Sequence, residues 1–502
     1  MRVDSNHHLF DSIENITNEK STQNVDSNLQ EQSQTQNLQT QNKKLPNAHN
    51  IESKQDIEST QNIESKADIA FDRRWILALF GTALGAGILF LPIAAGRGGF
   101  WPVVIMTLIA FPMAFLSHRA FSRFTLGVRH PDSDITHAAE EYWGRRASFV
   151  LTILYFFVIY PVVLAYGVGI TNTFGNFLIY QLDIKSFYII ESSGEKALLP
   201  HVRLILAFIL VSAMMAIMLL KEEWVTRVCT ALVYPLCFVL MGFSLYLIGF
   251  WKLDSINYVP DAKDFLIIVY LALPVIVFSF DFSPVVSTFS VSVKRRYAAR
   301  GDSFVDKKAS SIIFKTTLML LIFTMFFTFS CILCLDSKDF ALAREANIPI
   351  LSYFANTFAS DKNALSYYIF SYAAPLVAFL AIITSFFGHY FGAYEGLTGI
   401  IRKGSKMMGI DPNMRKIHIF NTIFLYITII FASYFNPSIL DFIENLSGPI
   451  IAIMLLLMPI YAIYSVAALK HYQNKLLDLF VFIVGLITVS CIIYNSYINI
   501  FG

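Results

Sequence analysis

Charge is scarce in this chain. Of its 502 residues only 15% are Asp, Glu, Lys or Arg, against roughly 25% in an average soluble domain, and 55% are apolar. That composition excludes an ordinary soluble enzyme. Nor does an excess of one sign remain: 38 basic against 36 acidic residues leave a formal net charge of +2, so there is no basic field to bind nucleic acid or another polyanion. Cysteine is sparse as well. Cys229, Cys237, Cys331, Cys334 and Cys491 all fall in apolar runs, at spacings that form neither a disulfide framework nor a zinc site. Cys331 and Cys334 make a C-x-x-C, but amid Phe, Leu and Ile they read as small packing residues. No paired nucleophile and base stands out, and no cluster of metal ligands, so the expectation is neither catalysis nor a cofactor nor a metal.

What the chain has instead is uncharged length. From Trp75 onward there are eleven apolar runs, at residues 80–95, 101–116, 149–174, 204–220, 229–250, 265–289, 312–334, 367–391, 420–434, 449–469 and 476–497. Each is close to the ~20 residues that a helix needs to cross a bilayer core, which predicts an all-α membrane protein of eleven transmembrane helices. Residues 1–70 differ. They are rich in Gln, Asn, Ser and Glu, with an Ile-Glu-Ser triplet recurring at Ile51, Ile57 and Ile63, and they carry too little apolar surface to fold alone. They read as a disordered cytoplasmic tail ahead of a transmembrane domain at 71–502. Lys and Arg resist translocation, and alternate connections, led by Arg73, Arg74, Lys294, Arg295, Arg296, Arg300, Lys307, Lys308 and Lys315, hold most of them. The intervening connections carry Asp254, Asp261, Asp336, Asp441 and Glu444. The N-terminus is therefore expected inside and the C-terminus outside.

Two runs contain backbone that a helix tolerates poorly. The first reads Phe80-Gly81-Thr82-Ala83-Leu84-Gly85-Ala86-Gly87-Ile88, and each interior glycine costs a helix roughly 1 kcal/mol relative to Ala. The sixth reads Phe278-Ser279-Phe280-Asp281-Phe282-Ser283-Pro284, where Pro284 removes a donor and clashes with the preceding turn. Broken backbone survives at membrane depth only around a cavity or inside protein. Breaks at corresponding positions, first and sixth, predict two five-helix repeats holding a substrate between them. A half-helix starting near Gly87 offers N–H groups to a carboxylate, and carbonyls released near Ser279 and Phe280 can accept from an ammonium group, which suits an amino-acid zwitterion. The candidate substrate contacts are Thr82, Gly85, Ala86, Gly87, Ser279, Phe280, Asp281, Phe282 and Ser283, with a phenol from the third run, where Tyr160, Pro161 and Tyr166 lie and Tyr160 is the one selected. Asp281 is also the first candidate proton carrier, since an ionised carboxylate at mid-membrane costs roughly 2.5–3.5 kcal/mol. His389 and Glu395 in the eighth run are further proton-coupling candidates. Six residues at 100° set them about 240° apart around a helix, so they need not share a site.

The stretch Gly81-Thr82-Ala83-Leu84-Gly85-Ala86-Gly87-Ile88-Leu89-Phe90-Leu91-Pro92 resembles the hydroxy and aromatic amino acid permease family, most nearly its serine/threonine permease branch, within the amino acid/polyamine/organocation superfamily. The likeness continues in Gly98-Gly99-Phe100-Trp101-Pro102, Phe111-Pro112-Met113, Ser117-His118-Arg119, Tyr155 to Pro161, Ser283-Pro284 and Gly388-His389-Tyr390, and so spans nearly everything after the tail. It implies a bacterial inner-membrane protein with a LeuT-like 5+5 inverted repeat, helices one and six broken and one helix extra. It further implies alternating-access import of L-serine or L-threonine by symport with protons rather than sodium. The resemblance departs at one place. Where the branch commonly carries Asn-His before Ser-Pro, this chain has Asp281-Phe282, an acid for an amide and an apolar ring for a polar one. An amino-acid sensor that keeps the fold and signals through its tail, and a permease for an aromatic or other neutral amino acid, are the alternatives.

Overall fold

Lipid offers no partner to a backbone N–H or C=O, so apolar runs of this length must satisfy their own hydrogen bonds, and they do so as helices. In the computed structural model, which describes residues 49–128, 135–191, 195–220, 222–358 and 365–501, the main helices are α1 (His49–Ala83), α2 (Ala86–Ala95), α3 (Phe100–Leu126), α4 (Arg145–Asn176), α5 (Pro200–Met218), α6 (Glu222–Leu247), α7 (Ala262–Ser279), α8 (Ser283–Tyr297), α9 (Asp302–Cys334), α10 (Ser337–Glu345), α11 (Ile350–Thr357), α12 (Ala374–Met407), α13 (Met414–Phe435), α14 (Ile439–Ser465) and α15 (Lys475–Phe501). A small antiparallel hairpin, β1 (Tyr188–Ile190) with β2 (Lys196–Leu198), joins α4 to α5. Among the described residues ten helices are long and apolar enough to cross a bilayer. The end of α1 and α2 form a further pair bent by 55°, and counting that pair as one span makes eleven. The chain is thus a multi-pass membrane protein.

Helix α1 starts at His49, so the sequence-based boundary at residue 70 falls inside it; residues 1–48 lie outside the described residues. Propagating a formed helix costs far less than nucleating one, and Glu, Lys, Gln and Ala are good helix formers. Prolines inside spans do not break them: Pro112, Pro161, Pro235 and Pro274 all lie within helices.

Small residues set the closest approaches, as expected where lipid gives no hydrophobic push between helices. A Cβ on Gly396 of α12 would lie 3.1 Å from the Phe156 Cα of α4, and one on Gly448 of α14 would lie 2.6 Å from the Pro274 carbonyl of α7. Two π-helical turns, Ile443–Ser447 and Ala452–Leu457, interrupt α14. Cys331 and Cys334 are wholly buried, and the Cys334 thiol donates to the Leu247 carbonyl.

Between α9 and α12, α10 and α11 form a strap across one end of the bundle. Asp336 and Asp339 close a capping box at the start of α10. Ser337 Oγ donates to the Arg97 carbonyl at 2.7 Å, and the Phe340 ring fills the space where Gly96 has no Cβ. Further along, Arg344 donates to both carboxylate oxygens of Glu444 (2.8 and 2.6 Å) and to Asp441 (2.9 Å). Asn347, in the left-handed region at φ 53°, donates to Asn436 Oδ1 and the Pro437 carbonyl and accepts at its own carbonyl from Asn172. At the opposite end of the first span, Asp68 meets Arg296, Arg300 and the Tyr297 hydroxyl, and Asp72 pairs with Lys308.

Candidate substrate-binding site

Only one of the three glycines in the first break sits in the break itself. Gly81 stays within α1, Gly87 lies in the first turn of α2, and Leu84 and Gly85 form the non-helical joint. Leu84 N–H still reaches the Phe80 carbonyl, Gly85 N–H turns to Ala83, and Ile88 N–H returns to the Gly85 carbonyl at 3.2 Å. At φ −136° and ψ −159°, Gly85 has extended backbone open to any residue, so space rather than conformation demands glycine. A Cβ there would collide with Ser385 Oγ of α12 and lie 3.6 Å from the Tyr166 hydroxyl. Gly87 faces the other break: a Cβ would lie 3.0 Å from the Phe278 ring and 3.1 Å from the Ser279 Cα. Ser279 Oγ donates to the Gly87 carbonyl at 3.0 Å, tying the breaks together.

The second break covers Phe280 to Phe282. Pro284 lies in the first turn of α8, and the break falls in the turn before it, because the missing N–H and the ring leave no place for the Phe280 carbonyl, four residues back, in a continuous helix. Asp281 shapes the break, because its Oδ1 accepts from Ser283 N–H at 2.8 Å and so sets a carboxylate at the positive end of α8. Phe282 N–H donates to His118 Nε2 at 3.1 Å. The imidazole of α3 stacks on the Phe282 ring, centroids 3.6 Å apart and planes within 14°, and its Nδ1 lies 2.7 Å from the Ala114 carbonyl.

Between the breaks is a small cavity lined by Thr82, Ala83, Gly85, Gly87, Tyr166, Phe278, Asp281 and His389. The His389 Nδ1 lies 2.9 Å from the Ser385 carbonyl. A carbonyl can only accept, so Nδ1 carries the hydrogen and Nε2 keeps a lone pair. Tyr166 meets the His389 ring edge-on at 5.2 Å. Ser385 Oγ is buried beside the Tyr166 hydroxyl. The start of α2 contributes first-turn N–H groups and a positive dipole end. The arrangement therefore presents donors for a carboxylate, an anionic oxygen for an ammonium, and hydroxyl and imidazole groups for a short polar side chain.

Of the residues selected from the sequence, Thr82, Gly85, Gly87, Asp281 and His389 line this cavity. Ala86 opens α2, Ser279 is the tie to Gly87, and the N–H of Ser283 is taken by Asp281. Phe280 and Phe282 are wholly buried and are not among the lining residues. Tyr160 points elsewhere: it stacks on Phe156 (4.8 Å) and Phe424 (5.7 Å), while Tyr166, six residues on and about 240° around the helix, supplies the phenol. Glu395, separated from His389 by the same interval, is not a lining residue either. His118 and Ser385 carried no role in the sequence reading. Their polar character in apolar runs was the available signal, and it did not say which helix they face.

Membrane-length helices interrupted twice around one polar cavity define a carrier of the broken-helix kind, with its site built from helix ends. The chain belongs to the tryptophan/tyrosine permease family, which it matches over residues 75–499. It is 40% identical to the serine transporter SdaC of Escherichia coli (strain K12) over 434 residues, 85% of this chain and 95% of that protein. Against the threonine/serine transporter TdcC of Edwardsiella tarda it is 38% identical over 436 residues, covering 84% and 95%. Among solved structures, a mutant of the Eremococcus coleocola manganese transporter aligns with TM-score 0.58 at 14% identity. The same transporter with an aromatic bis-isothiourea compound aligns with TM-score 0.55 at 12% identity. Each alignment covers 87% of both chains. That likeness is one of fold, and the fold is of the LeuT-like class expected from the sequence.

Proposed function

We propose that this protein is a secondary active importer of L-serine or L-threonine in a bacterial inner membrane, coupled to protons and working by alternating access between two inverted five-helix repeats. The relatives named as serine and threonine/serine transporters support the substrate class. The observation that carries the reading is the helix-end cavity, which brings the start of α2 and the Asp281 carboxyl to one space and so offers a partner to each charge of a zwitterion. The substrate carboxylate takes the free N–H groups of α2, and its ammonium takes Asp281. Its hydroxyl reaches Tyr166, Ser385 or the His389 lone pair. Phe278 and Tyr166 crowd the same space, which favours a short side chain over an aromatic one. The distribution of Lys and Arg puts the N-terminal tail in the cytoplasm and the C-terminus in the periplasm.

Purified protein in liposomes tests the reading. With an inward proton gradient, labelled serine or threonine accumulates above equilibrium and saturates with concentration, tryptophan and tyrosine compete poorly, and a sodium gradient alone drives nothing. Uptake of tryptophan or tyrosine in preference to serine and threonine, or accumulation that follows sodium, overturns it.

A further inference from the structure

His118 is buried in α3 between two backbone groups whose chemistry leaves it one state. The Ala114 carbonyl, 2.7 Å from Nδ1, can only accept, so Nδ1 carries a hydrogen. The Phe282 N–H, 3.1 Å from Nε2, can only donate, so Nε2 offers its lone pair. The ring is therefore the neutral Nδ1–H tautomer, and its lone pair is the acceptor for a backbone donor inside the second break. The same Nε2 lies 3.6 Å from Asp281 Oδ1, with the two side chains only 1% and 7% exposed.

Other charged groups around α3 are engaged further along it. Asp306 binds Arg123 through two hydrogen bonds, Lys294 donates to the Leu126 and Val128 carbonyls, and Asp478 accepts from the Tyr464 hydroxyl and Asn474 N–H. Arg119, next in sequence to His118, lies over the Phe115 ring. Asp281 is thus the charged partner within ion-pair reach of His118 among the described residues.

We propose that His118 is the proton-responsive residue of the second break: neutral, it holds the break by accepting Phe282 N–H; protonated at Nε2, it releases that N–H and turns to Asp281 Oδ1. The proton enters on the nitrogen lone pair, so the bond from Phe282 and the new N–H cannot coexist. The local charge passes from that of a lone carboxylate to that of an ion pair with no net charge, and intramembrane ionisable groups characteristically pair in this way. Asp281 keeps Ser283 N–H on the same oxygen, which has two lone pairs, while the Phe282 N–H at the entry to α8 is set free. His118 acts through the break and does not itself line the cavity. This deepens the proton-coupling part of the proposed function and rests on it.

Two measurements separate the ideas. Nitrogen NMR of histidine-labelled protein in detergent, with the His118 signal assigned by its loss in His118→Gln, reads the ring directly and needs no substrate. Recorded between pH 8 and pH 5, the spectrum is expected to show a neutral Nδ1–H ring that takes up a second proton, together with a shift of the Phe282 amide. A ring that stays neutral across that range, or is the Nε2–H tautomer, overturns the proposal even if wild-type transport proves proton-driven. In liposomes, one pH unit supports about tenfold accumulation at one proton per substrate. Gln at 118 can still accept from Phe282 and donate to Ala114 but takes no proton, so His118→Gln is expected to bring accumulation to about onefold while retaining exchange. Full tenfold accumulation in His118→Gln refutes the role of His118. Absence of proton-driven accumulation in the wild type instead refutes the coupling reading itself, leaving the NMR result to judge the histidine.

Discussion

Gly85→Ala is the most direct test of the site, because it adds one methyl group at a point of known geometry. The backbone at φ −136° and ψ −159° accepts alanine, so no conformational strain enters. What the methyl group meets is Ser385: its Oγ overlaps the new Cβ position and its own Cβ lies 3.0 Å away, with the Tyr166 hydroxyl at 3.6 Å. Ser385 is buried on a helix interior, and forcing an extra carbon into such a place costs about 1–3 kcal/mol. If that cost falls on the substrate-bound state, it corresponds to a rise in KM of roughly 5- to 140-fold, since 1.4 kcal/mol is a factor of ten. Counterflow exchange over a range of serine and threonine concentrations measures it. Removing Oγ relieves the worst overlap, so Gly85→Ala with Ser385→Ala should bind better than Gly85→Ala alone, a coupling that a double-mutant cycle isolates. Wild-type kinetics for Gly85→Ala, or additive effects in the double variant, would show that substrate does not sit against this joint.

Three other substitutions probe separate parts of the argument. Asp281→Asn keeps an oxygen for Ser283 N–H and loses the charge that pairs with the substrate ammonium, so gradient-driven uptake should fall to equilibrium while exchange survives only in part, with a raised KM; undiminished uphill uptake removes Asp281 from coupling. Tyr166→Phe should raise KM for hydroxyl amino acids, whereas Tyr160→Phe should leave it unchanged, and the reverse pattern would relocate the site to the α4–α13 contact. Arg344→Gln strands Glu444, which is 7% exposed. Losing one member of a buried pair costs roughly 3–5 kcal/mol, trimmed here to about 2–3 because the arginine side chain is 26% exposed. Thermal unfolding in detergent should show the loss, and Glu444→Gln in the same chain should recover part of it; an unchanged midpoint would mean the pair is screened.

The spans and the two breaks were readable from sequence because lipid leaves so few solutions: a long apolar run must be helical, and a glycine cluster or an Asp-Phe-Ser-Pro stretch inside one must be sheltered. What periodicity cannot supply is azimuth. Tyr160 and Tyr166 occupy one helix and look alike in sequence, yet only packing against α12 and α13 decides which of them lines the cavity. His118 was equally opaque, since its partner lies 164 residues away. Pro284 marks a true break, which begins four residues before it; what the sequence did not show is that Asp281 accepts the first N–H of α8. The start of α1 at His49 was hidden by composition, because a polar segment that cannot fold by itself can still extend a helix begun in the membrane.

The strap over the outer end of the bundle is fastened unevenly. One hydrogen bond from Ser337 and the Phe340 contact attach it to the first span, while three charged hydrogen bonds from Arg344 and two from the Asn347 amide root it in α14 and its approach. Loaded from below, such a flap peels at its weak edge and swings about its strong one. The edge beside Arg97 is therefore the one with fewer polar bonds to release.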